Sequence, residues 1–406
     1  MARGRSISQT MVVASWLVTV VAWESSSTAC ELCGQATPTL AELIAPADAV
    51  LQVSWISSEK PKRDGDLGRT TFEAVRVVRD AGKSLRVGSR ITVDGTHAGK
   101  KDDLFLLTGR EGEPIEWDIP LRVSEASFKY IIEAPPLDAP PAERLSYFLK
   151  HFEAADVTVA NDAFAEFVRA PFEDIVLVRD QLPRDNLRRW VIATSSSGNR
   201  RGLYGLLLGL CGDASDAKLL ESIVIQPTTQ TRAGIEGIMG GYLLLAGEAG
   251  LKTVEQTKFG DQTLPDSEAY SAVQAVRFLW GNGNGKVSRD RLKLSLRLLL
   301  DQPKFTELII ADLARWKDWS TTPRLMEMYV GGKADHEATN RAIVRFLLAA
   351  IDDCGSANSR QANAGAEPPH VTEAKRCLAM LREKDPATVA QVERFFQPAR
   401  IGVKSR

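Results

Sequence analysis

The sequence predicts a β + α multidomain protein, a small antiparallel β-barrel followed by an all-α solenoid. Three observations predict it. Apolar residues alternate with period two in segments between Ala49 and Glu133, the pattern of half-buried strands. Ala134-Pro135-Pro136-Leu137-Asp138-Ala139-Pro140-Pro141 then interrupts the chain, and proline at this density continues neither sheet nor helix. Beyond it the period becomes helical, and comparable leucines recur about every 35 residues, as expected of a two-helix repeat.

Ahead of the strands, Arg3 and Arg5 precede an uncharged, largely apolar run from Met11 to Trp23. This is the n-region and h-region of a signal peptide. The run stops at Glu24, short of the roughly 20 apolar residues that span a bilayer. Ser27-Thr28-Ala29 places small residues at the −3 and −1 sites, so the signal peptide is assigned to 1–29 and the mature chain to Cys30 onward. Ser27-Thr28-Ala29-Cys30 also resembles the bacterial lipoprotein cleavage box, in which the cysteine is lipidated, with Ser27 in place of the usual leucine. Two expectations follow: an extracytoplasmic location, periplasmic or secreted, and a membrane tether through the leader or Cys30 as an open alternative.

A length of 406 residues suits two or three domains, and 44% hydrophobic with 25% charged residues is ordinary for a globular protein. A formal charge of −1 gives no whole-surface basic field, so nucleic acid is not an expected partner. The five cysteines, Cys30, Cys33, Cys211, Cys354 and Cys377, are too few to staple a chain this long.

The first unit is assigned to 30–133. Ala49 to Ile56 and Thr70 to Val78 alternate about a charged turn at Lys60 to Gly65, and Ile91-Thr92-Val93, Leu104 to Leu107 and Tyr130-Ile131-Ile132 complete at least five short strands. With Cys30, Ala47 to Leu51, Thr71 to Val75 and Leu104 to Gly109, the segment resembles the netrin-like, OB-type barrel shared with the tissue inhibitors of metalloproteinases. The resemblance implies that fold, and it implies inhibition led by a free amine at Cys30. Those inhibitors begin Cys-x-Cys and carry several disulfides, whereas here the spacing is Cys30-Glu31-Leu32-Cys33 and the barrel has no further cysteine. That departure weighs on the inhibition more than on the fold.

A linker at 134–141 leads to helices over 142–354. Leu203, Leu206, Leu207 and Leu210 form one stripe before Gly212-Asp213, and Leu219, Leu220, Ile223 and Val224 form the next. Further stripes end at Gly247, Gly281 and Gly355. Taking Leu207, Leu244, Leu279, Leu313 and Leu348 as anchors gives steps of 37, 35, 34 and 35. Leu208 to Ala217 resembles the inter-helix turn of HEAT-like repeats. The Ser-, Asn- and Ala-rich stretch 355–370 reads as a flexible insertion, and 371–406 as a helical cap and tail.

The catalytic patterns tested each fail at a required position. His336-Glu337-Ala338-Thr339-Asn340 begins like a zinc-protease helix, but Asn340 stands where the second histidine belongs. Gly281 to Val287 lacks the spacing and the Ser/Thr of a phosphate loop. Ser57-Ser58-Glu59-Lys60 has Ser-x-x-Lys spacing without the motifs that accompany it in penicillin-recognising enzymes. No catalytic, cofactor-binding or metal set is therefore assigned. Cys30 and Cys33 are left as a disulfide, a lipidated cysteine with a free neighbour, or a functional thiol or chelating terminus. Arg184, Arg188, Arg189, Arg200 and Arg201 are the one local basic excess, either a solvated face or a patch for an anionic ligand. The expectation is a non-catalytic binding or scaffolding protein whose partner is a protein or envelope component. The alternatives are a protease inhibitor acting through Cys30 and a thiol-dependent enzyme using Cys30 or Cys33.

Overall fold

The structure, a computed structural model, describes residues 37–63, 65–80, 82–261, 263–331, 337–353 and 367–396. The leader, Cys30, Cys33, His336, Cys354 and positions 355–366 of the expected insertion lie outside the described residues. No described helix is long and apolar enough to cross a membrane. The molecule is a mixed α/β protein, with one six-stranded antiparallel sheet and sixteen α-helices among the described residues.

A capping box between Thr39 and Glu42 starts α1 (Leu40–Ile44). The strands are β1 (Ala49–Glu59), β2 (Arg69–Asp80), β3 (Arg90–Asp94), β4 (Leu104–Arg110), β5 (Glu116–Trp117) and β6 (Leu121–Arg122). Their order is β3-β2-β1-β4-β5, with β6 also on β4. β1 is the hub, pairing with both β2 and β4, and its register against β2 shifts at Val50/Leu51, Gln52/Val53 and Trp55/Ser57. Such bulges bend a strand and increase its twist. One face buries Leu51, Val53, Phe72, Ile91, Val93, Phe105 and Leu107, while Val50 and Leu106 pack with Phe128 on the other.

Phe128 belongs to α2 (Glu125–Glu133), and here the strand expected at Tyr130-Ile131-Ile132 is corrected to a helix. Three apolar residues in a row carry no period of their own. Ser124 caps the helix with Ser127, and Phe128 and Tyr130 are buried from it. The proline-rich segment is tied down at its end: Pro141 opens α3 (Pro141–Leu149), where its missing N–H costs nothing. Arg144 donates to the Pro135 carbonyl at 2.7 Å and to Glu166 Oε2 at 2.6 Å. Asp162 ties α1 and α2 to the helices that follow, accepting from the Leu40 backbone N–H at 2.6 Å and from the Tyr130 hydroxyl at 2.7 Å.

The remaining helices are α4 (Val157–Arg169), α5 (Phe172–Val176), α6 (Arg184–Ile192), α7 (Gly198–Cys211), α8 (Ala214–Val224), α9 (Ile235–Val254), α10 (Asp266–Asn282), α11 (Arg289–Arg297), α12 (Pro303–Arg315), α13 (Thr322–Val330), α14 (Glu337–Asp352), α15 (Pro369–Lys384) and α16 (Pro386–Phe395). They share one core. α9 breaks its path at Gly247, where φ is 58°, a left-handed conformation that glycine adopts freely. α15 already contains Pro369 and His370, so the expected insertion loses its last two positions to this helix. The leucine register is also corrected. Leu243 and Leu347 are fully buried and Leu244 and Leu348 only partly so, which makes the buried series Leu207, Leu243, Leu279, Leu313 and Leu347, with steps of 36, 36, 34 and 34.

Helices one such step apart are joined by two devices. A Cβ added at Gly241 of α9 would lie 2.0 Å from the Gly205 carbonyl oxygen of α7, and one added at Gly209 would lie 2.4 Å from Gly241 Cα. Gly234, just before α9, meets Gly198 in the same way at 2.1 Å. The partners rise together along both chains, so α7 and α9 run in the same direction with their backbones touching. The second device is a ladder of acids bonded to a base 28 to 36 positions earlier: Arg184 and Arg188 on Asp216, Arg232 on Glu268, Arg277 on Asp312 and Lys317 on Asp353. Asp216, Glu268 and Asp312 are fully buried.

Gly241→Ala is therefore expected to lower unfolding stability by about 1–3 kcal/mol, the cost of overpacking. Gly281→Ala serves as the control, because its Cβ meets nothing within 4 Å in an exposed helical turn; it is expected to raise stability by up to about 1 kcal/mol. Urea melts of both variants check the pair of signs.

Candidate functional site: an aromatic groove

The widest opening among the described cavities is a groove of about 760 Å³ framed by α11, the turn before α13 and the start of α15. α11 contributes Lys293, Leu294 and Arg297 because these fall on its outer turns, and Leu294 is 51% exposed. Trp319, Pro323 and Pro369 extend the apolar lining, and Lys317 and His370 add polar groups.

Asp318 sets the turn. It is 3% exposed and accepts from Arg297 Nε at 2.8 Å and Nη2 at 2.6 Å, and from the hydroxyls of Ser320 and Thr321 at 3.0 and 3.1 Å. Burial alone would push its carboxyl up, but the bonds and charge of Arg297, with the hydroxyls of Ser320 and Thr321, outweigh burial and hold it below the ordinary value. Lys317, one residue earlier, takes a left-handed φ of 55°, unusual for a residue with a Cβ, and is bonded to Asp353. The turn thus delivers Trp319 with its indole N–H donating to Asp353 Oδ2 at 3.0 Å and its ring against Phe346. His370 stacks on Trp319 at 5.8 Å and 13°, with Nε2 3.5 Å from Asp353 Oδ2.

A second aromatic pair lies beside Lys293. Trp280 and Trp316 stack at 4.1 Å and 3°, and Arg289 lies 5.0 Å and Lys293 6.0 Å from the Trp280 centroid. Cations over an indole face gain from its quadrupole. The groove offers indole and imidazole surface and an exposed leucine, with Asp290 and Glu373 beside Lys293 and Lys317 at its edge.

The sequence-assigned residues are placed differently. Arg184 and Arg188 converge on Asp216, Arg184 at 2.7 Å, and Arg189 bonds Asn186. Arg200 donates to the carbonyls of Phe152 and Ala160 at 2.9 and 2.8 Å and stacks over Phe164. Arg201 has its Nε buried without a partner in range. Four of the five are thus engaged inside the chain. Burial pushes the Cys211 and Cys377 thiols up to about 11, so both stay protonated near neutral pH. Among the described residues no three His, Cys, Asp or Glu side chains are grouped to hold a metal. The groove itself was not assigned from the sequence. Of Trp280, Trp316 and Trp319, which fall within 40 residues, one lines it.

Because Asp318 is buried, Arg297→Met is expected to cost about 3–5 kcal/mol, the cost of stranding a buried charge. Adding Asp318→Asn to that variant should recover a large part of the loss. Chemical denaturation of the two variants and their double mutant measures this.

Comparison with known proteins finds no family model that matches the chain and no curated protein that matches it.

Proposed function

We propose that the chain is a non-catalytic extracytoplasmic binding or scaffolding protein, an OB-type barrel of netrin-like kind followed by a HEAT-like helical array. The pairing of the bulged β1 with both β2 and β4 supports the barrel reading. The ladder at a step near 35 residues and the parallel α7–α9 contact support the repeat reading. The division into a barrel at 30–133, a linker at 134–141 and helices from 142 belongs to the same proposal. Location outside the cytoplasm rests on the basic and apolar leader and on Cys30 after Ala29.

The groove carries the functional reading. An exposed Leu294, the Trp319–His370 stack and two prolines rimmed by Lys293 and Lys317 form a surface of the composition that binding sites use, aromatic at the centre and polar at the edge. The partner class it fits is a protein or another envelope component.

A photo-crosslinking residue placed at Leu294 tests this in the native envelope, with the same residue at Leu177, 59% exposed at the end of α5, as the control. The expected result is a discrete adduct from position 294 that Trp319→Ala abolishes. Absence of an adduct, or the same adducts from both positions, would contradict the reading.

A further inference from the structure

A second cavity, of about 360 Å³, lies between the start of α10, the start of α12 and a π-helical turn at Glu255–Phe259. π turns are rare and concentrate at functional sites. Lys258 projects from this one and lines the cavity, although its side chain is only 1% exposed. Its ammonium is 3.0 Å from Glu268 Oε2. Glu268, itself fully buried, also accepts from Arg232 Nε at 2.9 Å and from Arg232 Nη2.

Arg232 and Lys258 both face Glu268 in a triad, and Asp261, bonded only to neutral groups of Thr263, adds a second negative charge that acts on Lys258. An ammonium also carries three N–H donors, and among the described residues Glu268 is its one hydrogen-bonding partner. The acids near the cavity mouth are otherwise engaged: Asp266 with Lys304 at 2.7 Å, Asp301 with Arg324, and Asp261 with the backbone and hydroxyl of Thr263 at 2.9 and 2.6 Å. Leu264, Pro265, Ala269 and Phe305 make the rest of the wall largely apolar.

We propose that this cavity is a binding site for a small carboxylate, held by the remaining N–H groups of Lys258 with its apolar end against Leu264 and Phe305. A carboxylate would supply acceptors where burial makes an under-bonded ammonium costly. The volume lies within the range of small-molecule sites. Consistent with an ammonium short of acceptors, burial lowers the basicity of Lys258 below the usual value in spite of Glu268. Glu268 is held below the ordinary carboxylate value, Arg232 and Lys258 outweighing its burial, so it stays ionised and keeps its place in the triad.

The test uses the full chain, with acetate and benzoate titrated against chloride at constant ionic strength and acetamide as the uncharged control, read by calorimetry and thermal melts. The expected result is saturable binding of at least one of the two carboxylates and none of acetamide. Affinity should fall at least about ten-fold in Lys258→Met, which retains the Arg232–Glu268 pair. Leu264→Trp narrows the cavity without touching the triad and should weaken binding too, which keeps the comparison open if Lys258→Met fails to fold. No saturable binding of either carboxylate to the folded wild-type chain would overturn the proposal, as would binding that either folded variant leaves unchanged.

Discussion

The helical part of this molecule depends on a backbone-to-backbone seam. α7 and α9 meet through Gly198, Gly202, Gly205 and Gly209 on one side and Gly234, Gly237 and Gly241 on the other, and an added Cβ at any of them would lie within 3.0 Å of a partner residue's atoms. Ordinary side chains hold helix axes about 8–10 Å apart. Removing them lets the backbones touch, which fixes the separation and relative rotation of the two helices at once. Ile238 sits in the seam against Gly205, and Leu203, Leu206 and Leu207 of α7 with Met239 and Leu243 of α9 belong to the buried core around it.

The ladder of charged pairs extends the same step along the chain. Asp216, Glu268 and Asp312 are fully buried, and each is bonded to a base from the preceding unit. Buried pairs of this kind add little net stability over an apolar replacement, because desolvation offsets the attraction, but breaking one is costly. They therefore act mainly on register, as each acid is satisfied only when neighbouring units align. Asp312 differs from Glu268. Burial still raises the Asp312 carboxyl despite Arg277, whereas two bases hold Glu268 below its ordinary value.

The sequence carried the strand alternation and the breaks at Gly212-Asp213 and Gly247, because each rests on local periodicity or on a residue with special backbone freedom. It misled at Tyr130-Ile131-Ile132, where three apolar residues look alike in strand and helix and the deciding signal was the Ser124 cap. It placed two leucine anchors one residue off, since Leu243 and Leu244, like Leu347 and Leu348, differ only in which neighbour they meet. The arginines from 184 to 201 read as one basic patch in the chain, while their acceptors, Asp216 and the carbonyls of Phe152 and Ala160, come from elsewhere in the fold. The groove was invisible for a related reason, because Trp319 and His370 are 51 positions apart and are joined through Asp353.

The groove and the smaller cavity are built on helices that share a core with the seam, so the account turns on the seam being the most firmly held part of that core. Hydrogen exchange of the full chain followed by mass spectrometry tests this most directly. The account predicts that amides of α7 and of α9 up to Gly247 exchange slowest and as one cooperative group. Fast or mutually independent exchange of these two helices, with other helices still protected, would contradict it.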